Sequence, residues 1–227
     1  MFAGHIGTAL AIGRAERGVN VGVFVAAALF LDFLLWLFVL LSWESVAIPA
    51  NFASTHQPEF VFPYSHGLLA GVVWSILAGG TVFVLCSRLL TRWRAAALVA
   101  IAVLSHWVLD ALVHRPELPL AGSGSQRVGL ALWNNMPLAL TLEAILIVVG
   151  LWLFISGTKL GRNRSIALVV LCVVVMGFTA VGMTIAPPPP SAAAMAGSSL
   201  GTLAVACALA YWFGRLPRQA DNGRRGP

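Results

Sequence analysis

Charged residues are scarce in this chain. Only 10% of its 227 residues are Asp, Glu, Lys or Arg, whereas 59% are hydrophobic. About a quarter of the residues in an average soluble domain are charged, so the composition excludes a soluble globular protein. It predicts an integral membrane protein.

Cysteine is scarce as well, and its placement excludes two further classes. Cys86, Cys172 and Cys207 lie within or at the end of apolar stretches and have no CxxC spacing. This pattern excludes a disulfide framework and a cysteine-based metal site, and it is typical of small core residues. The chain also lacks an internal repeat, which excludes a solenoid or a propeller.

Long apolar stretches are abundant, and six of them can cross about 30 Å of hydrocarbon. They cover roughly residues 21–43, 66–87, 94–113, 136–156, 166–186 and 191–213. A shorter apolar segment, "MFAGHIGTALAIG", precedes them; it lacks the basic region of a signal peptide and is too short to span the bilayer. We therefore predict an all-α polytopic membrane protein with six transmembrane helices plus an N-terminal half-helix.

Within this fold we expect three regions. Residues 1–156 form the part of the membrane domain that carries the polar helices, and residues 157–213 add two packing helices to the same domain. Residues 214–227 are polar and contain Gly and Pro, which predicts a disordered cytoplasmic tail.

The basic residues predict the orientation. If the N-terminus is cytoplasmic, only Arg115 and Arg127 of the 14 Lys and Arg residues fall outside. Basic residues in short loops stay in the cytoplasm, so both termini are expected there. The net charge of +6 is then a signal of topology. It predicts contact with membrane lipids and no binding of nucleic acid, and it leaves the oligomeric state open.

Ionisable residues inside the spans are few. Three unpaired carboxylates at mid-membrane would cost about 8–10 kcal/mol on insertion scales, which rivals the stability of a whole domain. They are therefore expected to face one another, a cation or water. The ionisable residues within the spans are Asp32, His106, Asp110 and Glu143, and His66 opens the second span. At a rise of about 1.5 Å per residue, the four residues within the spans lie between the middle and the outer third of the membrane, a zone that one cavity can occupy.

The segment "LSHWVLDALVH" gives these residues a chemical interpretation. His106, Asp110 and His114 are spaced by four residues, which places them on one helical face. Imidazole nitrogen with carboxylate oxygen is a ligand set for Zn²⁺ or a similar divalent ion. We predict a metal site with His106, Asp110 and His66 as ligands. A structural hydrogen-bonded pair is the alternative for His106 and Asp110.

Asp32 and His5 are expected to be further ligands or to support the ligands. His5 joins the site only if the half-helix dips into the membrane; the alternative is a half-helix that lies flat at the membrane surface. Glu143 is expected to be the general base toward the attacking water, or alternatively a partner of Arg115 or Arg127.

Other polar residues near helix ends have simpler interpretations. His114 precedes "RP" and is expected to cap a helix or meet lipid headgroups. Asn134 and Asn135 precede Pro137, which indicates an N-cap, with substrate contact as the alternative. Ser65 is expected to cap the second spanning helix.

Several motifs resemble one protein family. They are "MFAGHIGTALAIG", "FLDFLLW", "FPYSHGLL", "LSHWVLDALVHRPELPL" and "VGLALWNN", within residues 1–156. The family consists of bacterial inner-membrane proteins labelled membrane-bound metal-dependent hydrolases, some of which are labelled permeases. The resemblance implies a location in the bacterial inner (cytoplasmic) membrane. It also implies that the family's histidine and aspartate positions correspond to His5, Asp32, His66, His106 and Asp110.

The chain departs from this family at one motif. Common members carry HRGxTHS around the histidine of the second span, whereas His66 stands alone in "YSHGLL". The smaller ligand set argues against a site for two metal ions.

Three functions are consistent with these residues. The first is a metal-dependent hydrolase, with a divalent ion such as Zn²⁺, that acts on a small amphiphilic or lipid-linked ester or phosphoester. The second is a permease or proton-coupled transporter that uses the same cluster as a relay. The third is an assembly subunit whose polar core is structural.

Overall fold

The computed structural model describes residues 1–215, most of which are helical. Five helices are long and apolar enough to cross a membrane, and a bent pair of helices forms a sixth span. The predicted all-α architecture of six spans and one half-helix is confirmed. Most of the predicted tail, residues 216–227, lies outside the described residues.

The helices follow the predicted stretches closely. The half-helix and the bent first span are α1 Phe2–Gly13, α2 Val21–Ala28 and α3 Phe30–Leu40. The first long loop contains β1 Ser45–Ala47, α4 Phe52–Thr55 and β2 Glu59–Val61. The next two spans are α5 Leu68–Leu85 and α6 Arg92–Val113. The second long loop contains β3 Leu118–Pro119, β4 Arg127–Val128 and a 3-10 turn at Leu132–Asn134, and the last spans are α7 Met136–Gly157, α8 Arg162–Thr184 and α9 Ala192–Phe213.

The two ends of the bundle differ in charge. Both long loops, residues 41–67 and 114–135, lie at the same end, which we name the loop end. Among residues 1–215, every Lys and Arg other than Arg115 and Arg127 lies at the opposite, basic end. The basic residues are therefore concentrated at one end of the bundle, as the sequence predicts for a membrane protein.

Large hydrophobic side chains on the outer surface support a membrane location. Ile76 and Val84 on α5, Val148 on α7 and Val173 on α8 are each more than 60% exposed. A soluble protein rarely exposes so many large apolar side chains on adjacent helices. These faces are suited to contact with lipid, whereas every residue of α1 is buried or half-buried.

Helix α1 packs inside the bundle along α7, and the two helices run in the same direction. Gly7 and Gly150 lie at the crossing, where a Cβ atom on either would overlap the backbone of the other helix. Small residues allow such close approach between membrane helices. The alternative of an α1 lying flat at the membrane surface is wrong, since His5 is fully buried.

The first span bends by 49° between α2 and α3. The segment contains no Pro or Gly near the break at Leu29. His106 Nδ1 lies 2.7 Å from the carbonyl oxygen of Ala28, directly at the break, and a side chain that bonds to a helix carbonyl is one source of helix kinks. The bend places Asp32 in the first turn of α3.

The loop end is closed by two antiparallel hairpins. In the first, β1 pairs with β2 in the register Ser45 to Val61, and in the second, β3 pairs with β4. The side chain of Asn135 accepts from the backbone N–H of Leu138 at 3.3 Å, which confirms the predicted N-cap of α7. The prediction for Ser65 is wrong, since Gly67 is the N-cap residue of α5.

Candidate metal site

The five residues predicted as metal ligands or support converge at one place in the loop half of the bundle. They come from four parts of the chain: His5 from α1, Asp32 from α3, His66 from the loop before α5, and His106 and Asp110 from α6. Four of them are at most 2% exposed. Asp32 is the exception, with 23% of its side chain exposed to a cavity.

The distances among the ligand atoms suit a single ion. His66 Nε2 and His106 Nε2 are 3.1 Å apart. Asp110 Oδ2 lies 3.1 Å from His106 Nε2 and 3.4 Å from His66 Nε2, and Asp32 Oδ1 lies 3.7 Å from both nitrogens. Metal–ligand bonds of 2.0–2.2 Å in a tetrahedron place ligand atoms roughly 3.3–3.6 Å apart. The observed spacing is close to this range.

The hydrogen bond of His106 defines its tautomer. Its Nδ1 lies 2.7 Å from the carbonyl oxygen of Ala28. A carbonyl oxygen only accepts, so Nδ1 carries the proton and donates. In the neutral ring, Nε2 therefore presents a lone pair to the site, which is the form that a metal requires.

A buried carboxylate in the first loop defines the tautomer of His66. The Ser65 hydroxyl donates its hydrogen to Glu44 Oε2 at 2.6 Å, because the ionised carboxylate only accepts. Ser65 Oγ then accepts from His66 Nδ1 at 2.8 Å. The backbone N–H groups of Tyr64 and Ser65 donate to the other carboxylate oxygen, each at 2.8 Å. His66 therefore also presents the lone pair of Nε2.

Two lone pairs that face each other at 3.1 Å repel unless a cation lies between them. Burial lowers the pKa of His66, which precedes α5, but hydrogen bonds to Asp110 and Asp32 outweigh burial and raise it to about 9. A proton or a metal ion between His66 Nε2 and His106 Nε2 can remove this repulsion. The two carboxylates balance the charge of a divalent ion, so the donor set fits such an ion.

His5 supports Asp110 from behind. Its Nε2 lies 3.1 Å from Asp110 Oδ1, the oxygen that points away from His66 and His106. Its ring stacks on that of His106, with centroids 3.8 Å apart and planes 8° from parallel. Its Nδ1 is buried without a hydrogen-bond partner among the described residues. The backbone nitrogen of Met1 lies 3.4 Å from the same oxygen.

Two groups of three residues could each hold an ion. The ligand atoms of His66, His106 and Asp110 lie within 4.8 Å of one another, and so do those of His5, Asp32 and His106. The two groups overlap at His106. The shorter distances and the fixed tautomers favour the first group as the ligands.

His114 lies at the end of α6, as predicted, but its side chain is buried beside the site. Its Nδ1 is 2.6 Å from Glu117 Oε1, and its Nε2 is 3.7 Å from Asp110 Oδ2. The ring packs against Phe62 and Trp133. The interpretation that His114 meets lipid headgroups is therefore wrong.

Glu143 lines the same cavity as Asp32, His66 and Asp110, and its carboxylate also contacts α1. Its Oε2 accepts from the backbone N–H groups of Ala3 at 2.8 Å and Gly4 at 3.2 Å, which lie in the first turn of α1. A carboxylate at this position stabilises the helix N-terminus. The alternative of a contact with Arg115 or Arg127 is wrong, because within residues 1–215 Glu143 forms no ion pair with either arginine and its hydrogen bonds are to Ala3 and Gly4.

A cavity of about 540 Å³ opens beside Asp32, His66 and Asp110. Aromatic residues of the first loop cover it at the loop end. Its remaining wall comes mainly from the facing parts of α8 and α9, which contribute both apolar and hydroxyl-bearing residues. These residues are Phe178, Thr179, Gly182, Met183, Met195, Ser198, Ser199, Thr202 and Leu203. The cavity gives the polar cluster access to an amphiphilic molecule.

Glu44 and Ser65 were missed as parts of the site. Glu44 is only 4% exposed, although it lies in a loop. A carboxylate in a loop that has no Lys or Arg, together with the adjacent "SH" pair, was the available signal. Neither feature shows by itself that the β1–β2 hairpin carries the glutamate to the serine.

No protein-family model, curated protein or solved structure matches the chain. The resemblance to membrane-bound metal-dependent hydrolases therefore stays a prediction. The functional argument depends on the geometry of the described residues.

Proposed function

We propose that this chain is a membrane-embedded metal-dependent hydrolase that acts on an amphiphilic or lipid-linked ester or phosphoester. One observation carries the proposal. The lone pairs of His66 Nε2 and His106 Nε2 and an oxygen of Asp110 converge at the spacing of a tetrahedral ion, with both histidine tautomers fixed from behind.

Three protein ligands leave a fourth position, as in catalytic zinc sites. A zinc or similar divalent ion held by these three residues would supply a Lewis acid and would lower the pKa of a bound water. Asp32 Oδ1 lies 3.7 Å from both histidine nitrogens, just outside the roughly 3.3–3.6 Å spacing of tetrahedral ligands, and its side chain is partly exposed to the cavity. We assign Asp32 as the general base that accepts the proton of the attacking water.

This assignment replaces the expectation that Glu143 is the base. One oxygen of Glu143 already accepts two backbone hydrogen bonds, which hold its carboxylate at the start of α1. Asp32 Oδ1 lies 3.7 Å from the Nε2 atoms of both His66 and His106, and none of the hydrogen bonds within residues 1–215 joins Asp32 to a backbone donor. Glu143 instead holds α1, and with it His5, in place.

The proposed substrate follows from the cavity. The aromatic lining of the cavity, which includes Trp36, Phe60 and Phe178, suits a hydrocarbon chain, and the metal residues lie at the same cavity. We place the loop end outside the cytoplasm, in the bacterial inner membrane, because the basic residues lie at the other end. Substrate then enters from the outer leaflet.

Variants at Asp32 and Glu143 test the proposal, with metal content and turnover of lipid-like esters and phosphoesters as measurements. The wild type should hold about one transition-metal ion per chain, and His106→Ala and Asp110→Asn should lose it. Asp32→Asn should keep the ion and lose turnover by about 10²-fold or more. Glu143→Gln is the matched control and should keep most turnover.

Three results would contradict parts of this scheme. A wild-type protein without metal and without turnover excludes the hydrolase. Loss of metal in Asp32→Asn makes Asp32 a ligand instead of a base. Loss of turnover in Glu143→Gln with metal and thermal stability unchanged returns the role of base to Glu143.

A proton-coupled permease is the second candidate. The observation that favours it is that a proton, instead of a metal ion, can lie between the two histidine nitrogens. Proton flux into liposomes that contain the protein separates the two functions. Flux that is lost in Asp110→Asn, with no metal in either protein, supports the permease.

A further inference from the structure

A second cavity adjoins the metal-site cavity at the loop end. It has a volume of about 460 Å³ and is lined mainly by polar residues. His56, Trp133 and Met183 line both cavities, so the two are neighbours and share a wall. A molecule that extends past these residues can occupy both.

Arg115 is the charged residue of this second cavity. Its Nε donates to Gln57 Oε1 at 2.9 Å, and Gln57 Nε2 donates in turn to the carbonyl oxygen of Trp133 at 2.8 Å. These two bonds orient the glutamine amide, which then holds the guanidinium at the cavity. Arg115 is half-buried, so its position is defined by the protein as well as by solvent.

The guanidinium has no anionic partner within residues 1–215. The nearest carboxylate in sequence, Glu117, is bonded to His114 Nδ1 at 2.6 Å. The terminal nitrogens of Arg115 make no hydrogen bond to a described protein atom. A half-buried arginine with free donors is suited to the bidentate binding of a carboxylate or phosphate.

The rest of the wall is compatible with an anion. Among the described residues, no Asp or Glu lines the second cavity. The hydroxyls of Ser54 and Thr55 line it but donate their hydrogens to the carbonyl oxygen of Asn51. The side-chain amide of Asn134 and the ring of His56, a residue only 9% exposed, line it as well and make no hydrogen bond within the described chain. These two groups and the terminal nitrogens of Arg115 are the donors available to an anion.

We propose that the Arg115 cavity binds the phosphate group of an amphiphile whose apolar part lies in the metal-site cavity. The shared wall is the reason for choosing a lipid phosphate over free phosphate. This assignment rests on the proposed function for its role in catalysis, where it gives the substrate a phosphate beside the bond to be cleaved. Binding of the phosphate itself does not need turnover.

The test measures binding to the full chain, purified in a phosphate-free sugar detergent. The probes are dihexanoyl phosphatidic acid, inorganic phosphate and uncharged dihexanoylglycerol. Arg115→Gln should weaken binding of the phosphatidic acid about tenfold or more and leave binding of dihexanoylglycerol unchanged. Arg127→Gln is the matched control, because Arg127 is the other basic residue of the loop end and is exposed.

Each remaining outcome decides a part of the proposal. Equal affinity in Arg115→Gln and wild type, or an equal loss in Arg127→Gln, overturns it. Inorganic phosphate that binds as tightly as phosphatidic acid excludes the lipid. If Arg115→Gln does not fold, Arg115→Lys decides instead: it should bind severalfold more weakly, and unchanged affinity overturns the proposal.

The same titration in a chelator separates this proposal from the proposed function. Phosphate can bind a metal ion directly, and the chelator removes that contribution. An Arg115 effect that persists without metal supports the anion site even if the hydrolase proposal fails. An effect that disappears with the metal overturns the Arg115 site.

Discussion

Glu44 acts on the metal site through two hydrogen bonds. Its carboxylate accepts a hydrogen bond from the Ser65 hydroxyl. The serine oxygen can then accept a hydrogen bond from His66 Nδ1. The result is a fixed tautomer and a more basic Nε2 at the site. The loop carboxylate is therefore a positioning residue for a ligand that it does not touch.

We predict that Glu44→Gln lowers the affinity for Zn²⁺ about 10–100-fold, because the glutamine amide can donate to Ser65 and leave His66 free to change tautomer. Competition with a chromogenic chelator measures this affinity. Glu59→Gln is the control, since Glu59 lies in the same hairpin but is exposed. Equal affinities for the two variants would exclude the role of Glu44.

Single residues differed in how well the sequence predicted them. His106, Asp110, Asp32 and His66 stood out because a charged or polar residue in an apolar span needs a partner. The partner of Glu143 could not be predicted, since it is the backbone of α1 and not a side chain. Backbone donors leave no mark in the amino-acid sequence.

Helix α1 is held by one crossing and one carboxylate. The crossing joins Gly7 to Gly150, and Glu143 accepts from the first turn. Because α1 carries His5 against Asp110, a shift of the helix moves the support of a metal ligand. The metal site therefore depends on the packing of α1 on α7.

We predict that Gly150→Val destabilises the protein by about 1–3 kcal/mol and weakens metal binding, because the added side chain overlaps the backbone of α1. Thermal unfolding and metal content are the measurements. Gly177→Val on α8 is the control, since a Cβ there meets open space. If Gly150→Val has the melting temperature of the wild type, α1 does not pack against α7 at Gly150.

The helices were predicted well and the bend in the first span was not. Spans follow from the length of apolar stretches, which the bilayer thickness fixes. The break at Leu29 coincides with a hydrogen bond between His106 and the Ala28 carbonyl, which lie 78 residues apart in the chain. Local sequence carries no signal for such a contact.

For the whole molecule, the distribution of charge makes orientation testable. We predict that a cysteine at Ser123 reacts with a membrane-impermeant reagent in intact cells and that a cysteine at Gly161 does not. Both positions are exposed, and both variants are made without the three native cysteines. Labelling of Gly161→Cys in intact cells would reverse the orientation. Asp221, a further position predicted inside, lies outside the described residues.

The packing of α1 against α7 constrains the order in which the protein folds during synthesis. A ribosome completes α1 long before it completes α7, yet the acceptor for the first N–H groups of α1 is Glu143, about 140 residues later in the chain. Until α7 inserts, the first turn of α1 lacks this acceptor and His5 cannot be locked against Asp110. The N-terminal helix α1 can therefore reach its final packing only after α7, the fourth span, has entered the membrane.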